Sequence, residues 1–60
     1  MQSYSKYSYL EAAHLYRDLH DKDKEIMAWE YYLQTDPKGA FARDAQNRLK
    51  ELGSSTIAKN

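Results

Sequence analysis

The chain carries no cysteine, and in 60 residues that removes a disulfide framework and a thiolate metal site as stabilising staples. A chain so short buries only about 60% of the surface its unfolded form exposes, so its stability must come from efficient packing or from a partner. The side chains available for that packing are unusual: six tyrosines, one tryptophan and one phenylalanine. Large rings fill a small core with few residues, so the aromatic content is read as core filling ahead of an exposed aromatic platform. At 42% hydrophobic and 30% charged, the composition is that of a globular chain. Nine basic and nine acidic residues leave no net field to draw nucleic acid or an anionic membrane. No apolar run reaches the length of a membrane span or of a signal-peptide core.

The pattern along the chain is helical throughout, with no alternating run and almost no β-branched residues. Ser8-Tyr9-Leu10-Glu11 reads as a capping box, with Ser3 and Ser5 as alternative earlier starts. Tyr9, Ala12, Ala13, Tyr16 and Leu19 then recur at spacings of three and four, which predicts a helix to about Leu19. His20 to Lys24 is a polar break with two candidate caps, Asp21 and Asp23. Ile26, Trp29, Tyr32 and Leu33 form the stripe of a second helix, with Ala28 as a point of close approach. Pro37 forces Asp36 out of helical geometry and Gly39 permits a sharp turn, making this the strongest boundary. Phe41, Ala42, Ala45, Leu49 and Leu52 share one face of a third helix, and Gly53 stands where a helix C-terminus places its glycine. The expected architecture is all-α: three short antiparallel helices over residues 7–53, an N-terminal extension at 1–6 and a disordered tail at 54–60. Tyr9, Tyr16, Trp29 and Phe41 are the expected core rings.

From Tyr9 to Pro37 the chain resembles a tetratricopeptide repeat, a helix–turn–helix unit of about 34 residues. Tyr9 stands at that family's large early position, Ala13 at its small crossing position and Tyr16 one turn later. Ile26, Ala28, Trp29 and Leu33 match the second helix, and Pro37 the closing proline. Tyr32-Leu33 before Asp36-Pro37-Lys38-Gly39, with Ala45 and Arg48-Leu49 after it, also resembles repeats common in bacterial cell-envelope proteins. Four positions depart from the pattern. Ala12 replaces a usual leucine, His20 a usual glycine, and Glu25 and Tyr32 usual alanines. Glu25 is the sharpest departure, because a carboxylate at a helix crossing must tilt to solvent or find a partner. The resemblance implies one repeat followed by a capping third helix.

Chemistry finds little foothold. Glu11, His14 and Asp18 lie at i, i+3 and i+7, but three ligands on one helix with no closing ligand make a poor metal site, and no metal is expected. No nucleophile motif or glycine-rich phosphate loop is present, and three short helices barely enclose a pocket. The expectation is therefore a non-enzyme without cofactors. Arg43, Arg48 and Lys50 on the third helix raise a small helix–turn–helix nucleic-acid-binding domain as an alternative, which interleaved Asp44 and Glu51 weaken.

What remains is a protein–protein interaction module. The resemblance implies that the first helix lines a groove for a peptide or helix, with Tyr7, Leu10, His14 and Arg17 facing the partner. Packing against further repeats serves the same surface. The alternative is structural self-association as a homodimer, through Tyr4, Tyr7 and Leu10 or through the outer face of the third helix. Nucleic acid and membrane are not expected partners.

Overall fold

A computed structural model describes residues 5–53; the expected tail at 54–60 and the first four residues, Tyr4 among them, lie outside the described residues. The protein is all-α, with α1 at Lys6–Asp18, α2 at Lys22–Thr35 and α3 at Ala42–Glu51. Helix α2 is central: α1 packs on one side of it and α3 on another, and α1 and α3 do not pack on each other. A Lys6–Asp36 ion pair at 3.1 Å joins the start of α1 to the end of α2. An Arg48–Glu25 pair joins the end of α3 to the start of α2, so both neighbours run antiparallel to α2.

Helix α1 begins earlier than the capping-box reading predicts. Ser5 is the N-cap in extended geometry, without a side-chain cap bond, and its carbonyl accepts from the Ser8 amide at 3.0 Å. Ser8 and Glu11 therefore lie inside the helix. The extra turn brings Lys6 to Asp36, a tertiary contact that no local motif encodes. At the other end, the His20 amide donates to the Arg17 carbonyl and the Asp21 amide to that of Tyr16, at 3.1 and 2.9 Å. That pair of bonds is a Schellman closure with His20 in the left-handed position, at φ 59°. Of the two candidate caps of α2, Asp21 takes the role, its carboxylate accepting from the Lys24 amide at 3.4 Å. Asp23 and Glu25 occupy the first turn, where negative charge suits the helix dipole.

Helix α2 stops at Asp36, whose φ of −143° and ψ of 67° are the non-helical geometry that a following proline demands. Gly39 does not need a left-handed backbone here. Its role is spatial, because a Cβ at that position would overlap the Asp36 carboxylate. That carboxylate accepts from the Tyr32 hydroxyl at 3.3 Å and pairs with Lys6 through the same oxygen. Gly53, by contrast, does close α3 in the left-handed region, at φ 81°, with its amide donating to the Lys50 carbonyl.

The core comprises Leu10, Ala13, Ala28, Trp29, Tyr32, Leu33, Ala42, Ala45 and Leu49. Three expectations about it change. Phe41 is the N-cap of α3 and is 46% exposed, so it is not a core ring. Tyr9 and Tyr16 are only partly buried, and Tyr32 takes the central place with 1% of its surface open. Leu19, the last residue of the predicted α1 stripe, is 62% exposed. The physical reason is a rotation of α1: Leu10 and Ala13 face α2 directly, while Tyr9, Ala12 and Tyr16 lie along one flank. Tyrosines at such an edge bury their rings and leave their hydroxyls near water.

Candidate functional site

Rotation of α1 divides its surface into two faces. The face predicted from sequence carries Tyr7, Leu10, His14 and Arg17. Tyr7, His14 and Arg17 are exposed, but Leu10 belongs to the core and is not presented to a partner. The His14 ring stands edge-on to the Trp29 ring, with centroids 5.6 Å apart at 81°. Tyr7 lies under the Lys6 ammonium at 5.4 Å. These side chains sit singly around a filled interior rather than lining a recess.

The recess is on the other flank of α1. Tyr9, Ala12 and Tyr16 from α1 and Lys24, Met27, Ala28 and Tyr31 from α2 line a groove of about 340 Å³. Its floor is low because two alanines, Ala12 and Ala28, stand where the helices face each other. Tyr9 and Tyr31 stack at one end, with centroids 5.6 Å apart and planes at 24°. Tyr16 and Lys24 stand at the other, the ammonium 5.9 Å from the ring centroid. Met27 and Tyr31 are about half exposed, as are Leu15 and Leu19, which continue the α1 wall by helical spacing from Ala12 and Tyr16. Helical periodicity turns this groove about 100° around α2 from Glu25 and Tyr32, with Ala28 at the boundary, and no α3 residue lines it. The sequence signal was available: Lys24, Met27, Ala28 and Tyr31 fall at i, i+3, i+4 and i+7, a second stripe on α2 beside the core stripe.

One polar cluster organises the side facing α3. Glu25 is 2% exposed and accepts hydrogen bonds from the Trp29 indole at 3.0 Å and from two guanidinium nitrogens of Arg48, Nε at 2.6 Å and Nη2 at 3.2 Å. Arg48 extends its third nitrogen to Glu51 at 3.1 Å. Burial pushes the Glu25 carboxyl up, but the Arg48 and Trp29 hydrogen bonds and the guanidinium charge outweigh it and hold the carboxyl below its ordinary value. The awkward carboxylate at the helix crossing is thus paired. Arg48 is consumed in that pairing, which leaves Arg43 and Lys50 as the exposed cations of α3 among those considered for nucleic acid.

Among the described residues no three metal-binding side chains converge, so Glu11, His14 and Asp18 are not brought together as a site. No helix among the described residues is long and apolar enough to cross a membrane. Comparison with known proteins finds no matching family model, no matching curated protein and no matching solved structure.

Proposed function

We propose that the chain is a protein-interaction module of the tetratricopeptide type, working by packing its α1–α2 hairpin against a helix of a partner or of neighbouring repeats. The observation that carries this reading is the apolar groove between α1 and α2, floored by Ala12 and Ala28 and rimmed by half-exposed Met27 and Tyr31. A hairpin with a filled core on one side and an open apolar groove on the other leaves that groove to be covered, and an amphipathic helix is an element whose shape fills it. The groove offers a single charged group, Lys24, which is already paired with Asp21 at 3.7 Å. Recognition there rests on burial of apolar side chains and not on charge.

Selection of the chain against a displayed library of amphipathic helices tests this. Enriched helices should bind the wild type, and Met27→Lys should weaken them at least tenfold while a His14→Ala/Arg17→Ala variant binds as before. No enrichment, or loss of binding in the His14/Arg17 variant alone, overturns the groove as the binding surface.

A further inference from the structure

We infer that the occupant of the α1–α2 groove is a second copy of this chain, joined across a two-fold axis as a face-to-face pair of hairpins; this rests on the interaction reading above. A two-fold pairing requires one face that carries both a hollow and a projection. This face carries both a hollow, where Ala12 and Ala28 lower the floor, and the projections to fill one, Leu19 and Met27, which are 62% and 51% exposed. A two-fold interface uses the same patch twice, so that Leu19 of each copy enters the hollow of the other. The hollow exists because residue 12 is alanine, one of the positions at which the chain departs from the repeat pattern.

Charge and area agree with this occupant. The chain has no net charge, so two copies do not repel at long range. The only ionisable cation in the groove, Lys24, sits at one end, and an antiparallel two-fold places the two ammonium groups at opposite ends of the interface. Half-exposed leucine, methionine and tyrosine side chains each hold roughly 100 Å² of open surface. Leu15, Leu19, Met27 and Tyr31, with the open edges of Tyr9, Tyr16 and Ala12, therefore offer at most about 600 Å² per copy when fully covered, which only just reaches the low end of the size range of specific pairs. Pairs of that small size class are typically weak and transient, so the dimer is expected only at high concentration.

Sedimentation of the full chain from about 1 µM to about 1 mM tests the inference. The wild type should pass from its 7.1 kDa monomer mass to twice that value. Leu19→Lys/Met27→Lys should shift the transition upward at least tenfold with unchanged helicity, whereas Phe41→Lys, off this face, should leave it in place. Should the double lysine variant lose helicity, Ala12→Leu fills the hollow without adding charge and should weaken the dimer in the same way. Isotope-filtered NOEs between copies should connect Leu19 with Ala28. A wild type that stays monomeric throughout, or a dimer that survives both groove variants, overturns the inference. If the monomeric wild type still captures amphipathic helices in a Met27-dependent manner, self-association fails while the interaction reading stands. If both are absent, neither survives.

Discussion

A carboxylate with 2% of its surface open, on the helix against which both others pack, is stable only through what touches it. Glu25 has all its partners within reach: the Trp29 indole inside its own helix and the Arg48 fork from α3. Removing one member of such a buried pair costs about 3–5 kcal/mol, because the survivor stays desolvated and uncompensated. A chain of this size has a total stability of roughly 0.05–0.15 kcal/mol per residue, about 3–9 kcal/mol in all, so Arg48→Met should remove about a third of it or more, read as a large fall in the urea midpoint by circular dichroism. Glu25→Gln keeps an oxygen for Trp29 and Arg48 and should be milder, with the Glu25→Gln/Arg48→Met double variant costing less than the two single changes added. The pair also sets a pH dependence. Its folded carboxyl lies below the ordinary value of 4.5, so the unfolded chain binds the proton more readily. The stabilisation is complete above about pH 4.5 and is lost as pH falls through the folded value. Urea midpoints measured between about pH 3 and 7 should fall on the acid side, and Glu25→Gln should flatten that fall. An unchanged acid limb in Glu25→Gln would assign the fall to other carboxylates. The resemblance to the repeat marked Glu25 as needing a partner, since it stands where that family has an alanine. It did not mark Arg48, because pairing across 23 positions depends on how α3 lies on α2.

The helix ends separate what local chemistry decides from what packing decides. Pro37 and Gly53 were legible, and the α2 cap was narrowed to Asp21 or Asp23, because a cap, a proline block and a left-handed closure each act within a few residues. The start of α1 was left between Ser8 and the earlier Ser3 and Ser5, because Ser8 and Glu11 satisfy a capping box by spacing, and the structure takes Ser5, where the added turn carries the Lys6–Asp36 pair. The facing of α1 was also ambiguous: Ala13 belongs both to a stripe with Tyr9, Ala12 and Tyr16 and to one with Leu10. Only the position of α2 chooses Leu10 for the centre. The α1–α2 turn carries a strained residue, His20, in the left-handed region where glycine costs nothing. His20→Gly should therefore stabilise the chain by about 0.5–1 kcal/mol, net of the greater freedom glycine gives the unfolded state. A thermal melt should rise by about 4 °C for such a change in a domain this small. Gly39→Ala should act in the opposite direction although Gly39 has no left-handed backbone, because its Cβ would displace the Asp36 carboxylate from Tyr32 and Lys6. A loss of about 1–3 kcal/mol is expected. Combining it with Asp36→Ala removes the overlap and should give less than additive loss; strict additivity would place the strain elsewhere.

At the scale of the molecule, the central position of α2 makes one tryptophan the meeting point of all three helices. Trp29 touches His14 of α1 through its ring and reaches Arg48 of α3 through the shared Glu25 carboxylate. Neither outer helix packs on the other, so any coupling between them passes through this residue and its neighbours Tyr32 and Leu33. Loss of α3 would expose Glu25 and Tyr32, which have 2% and 1% of their surface open, and α2 could not keep them dry against α1 alone. The α1–α2 groove stands outside this cooperative centre. It lies along the other flank of the hairpin, where Met27, Leu15 and Leu19 can change without opening the core. The second stripe on α2 that forms it was visible at i, i+3, i+4 and i+7, but a sequence pattern alone does not say which of two apolar stripes α3 will cover. The consequence for unfolding is direct. With Trp29 as the only tryptophan, its fluorescence reports the junction while circular dichroism reports helix content. Both signals should melt with one midpoint in the wild type, as two-state unfolding requires. Leu49→Ala, which hollows the fully buried contact of α3, should lower both midpoints together by removing about 2–5 kcal/mol. A fluorescence change that precedes the loss of helicity would mean that α3 detaches while the α1–α2 hairpin persists, and the three helices would not share a single cooperative centre.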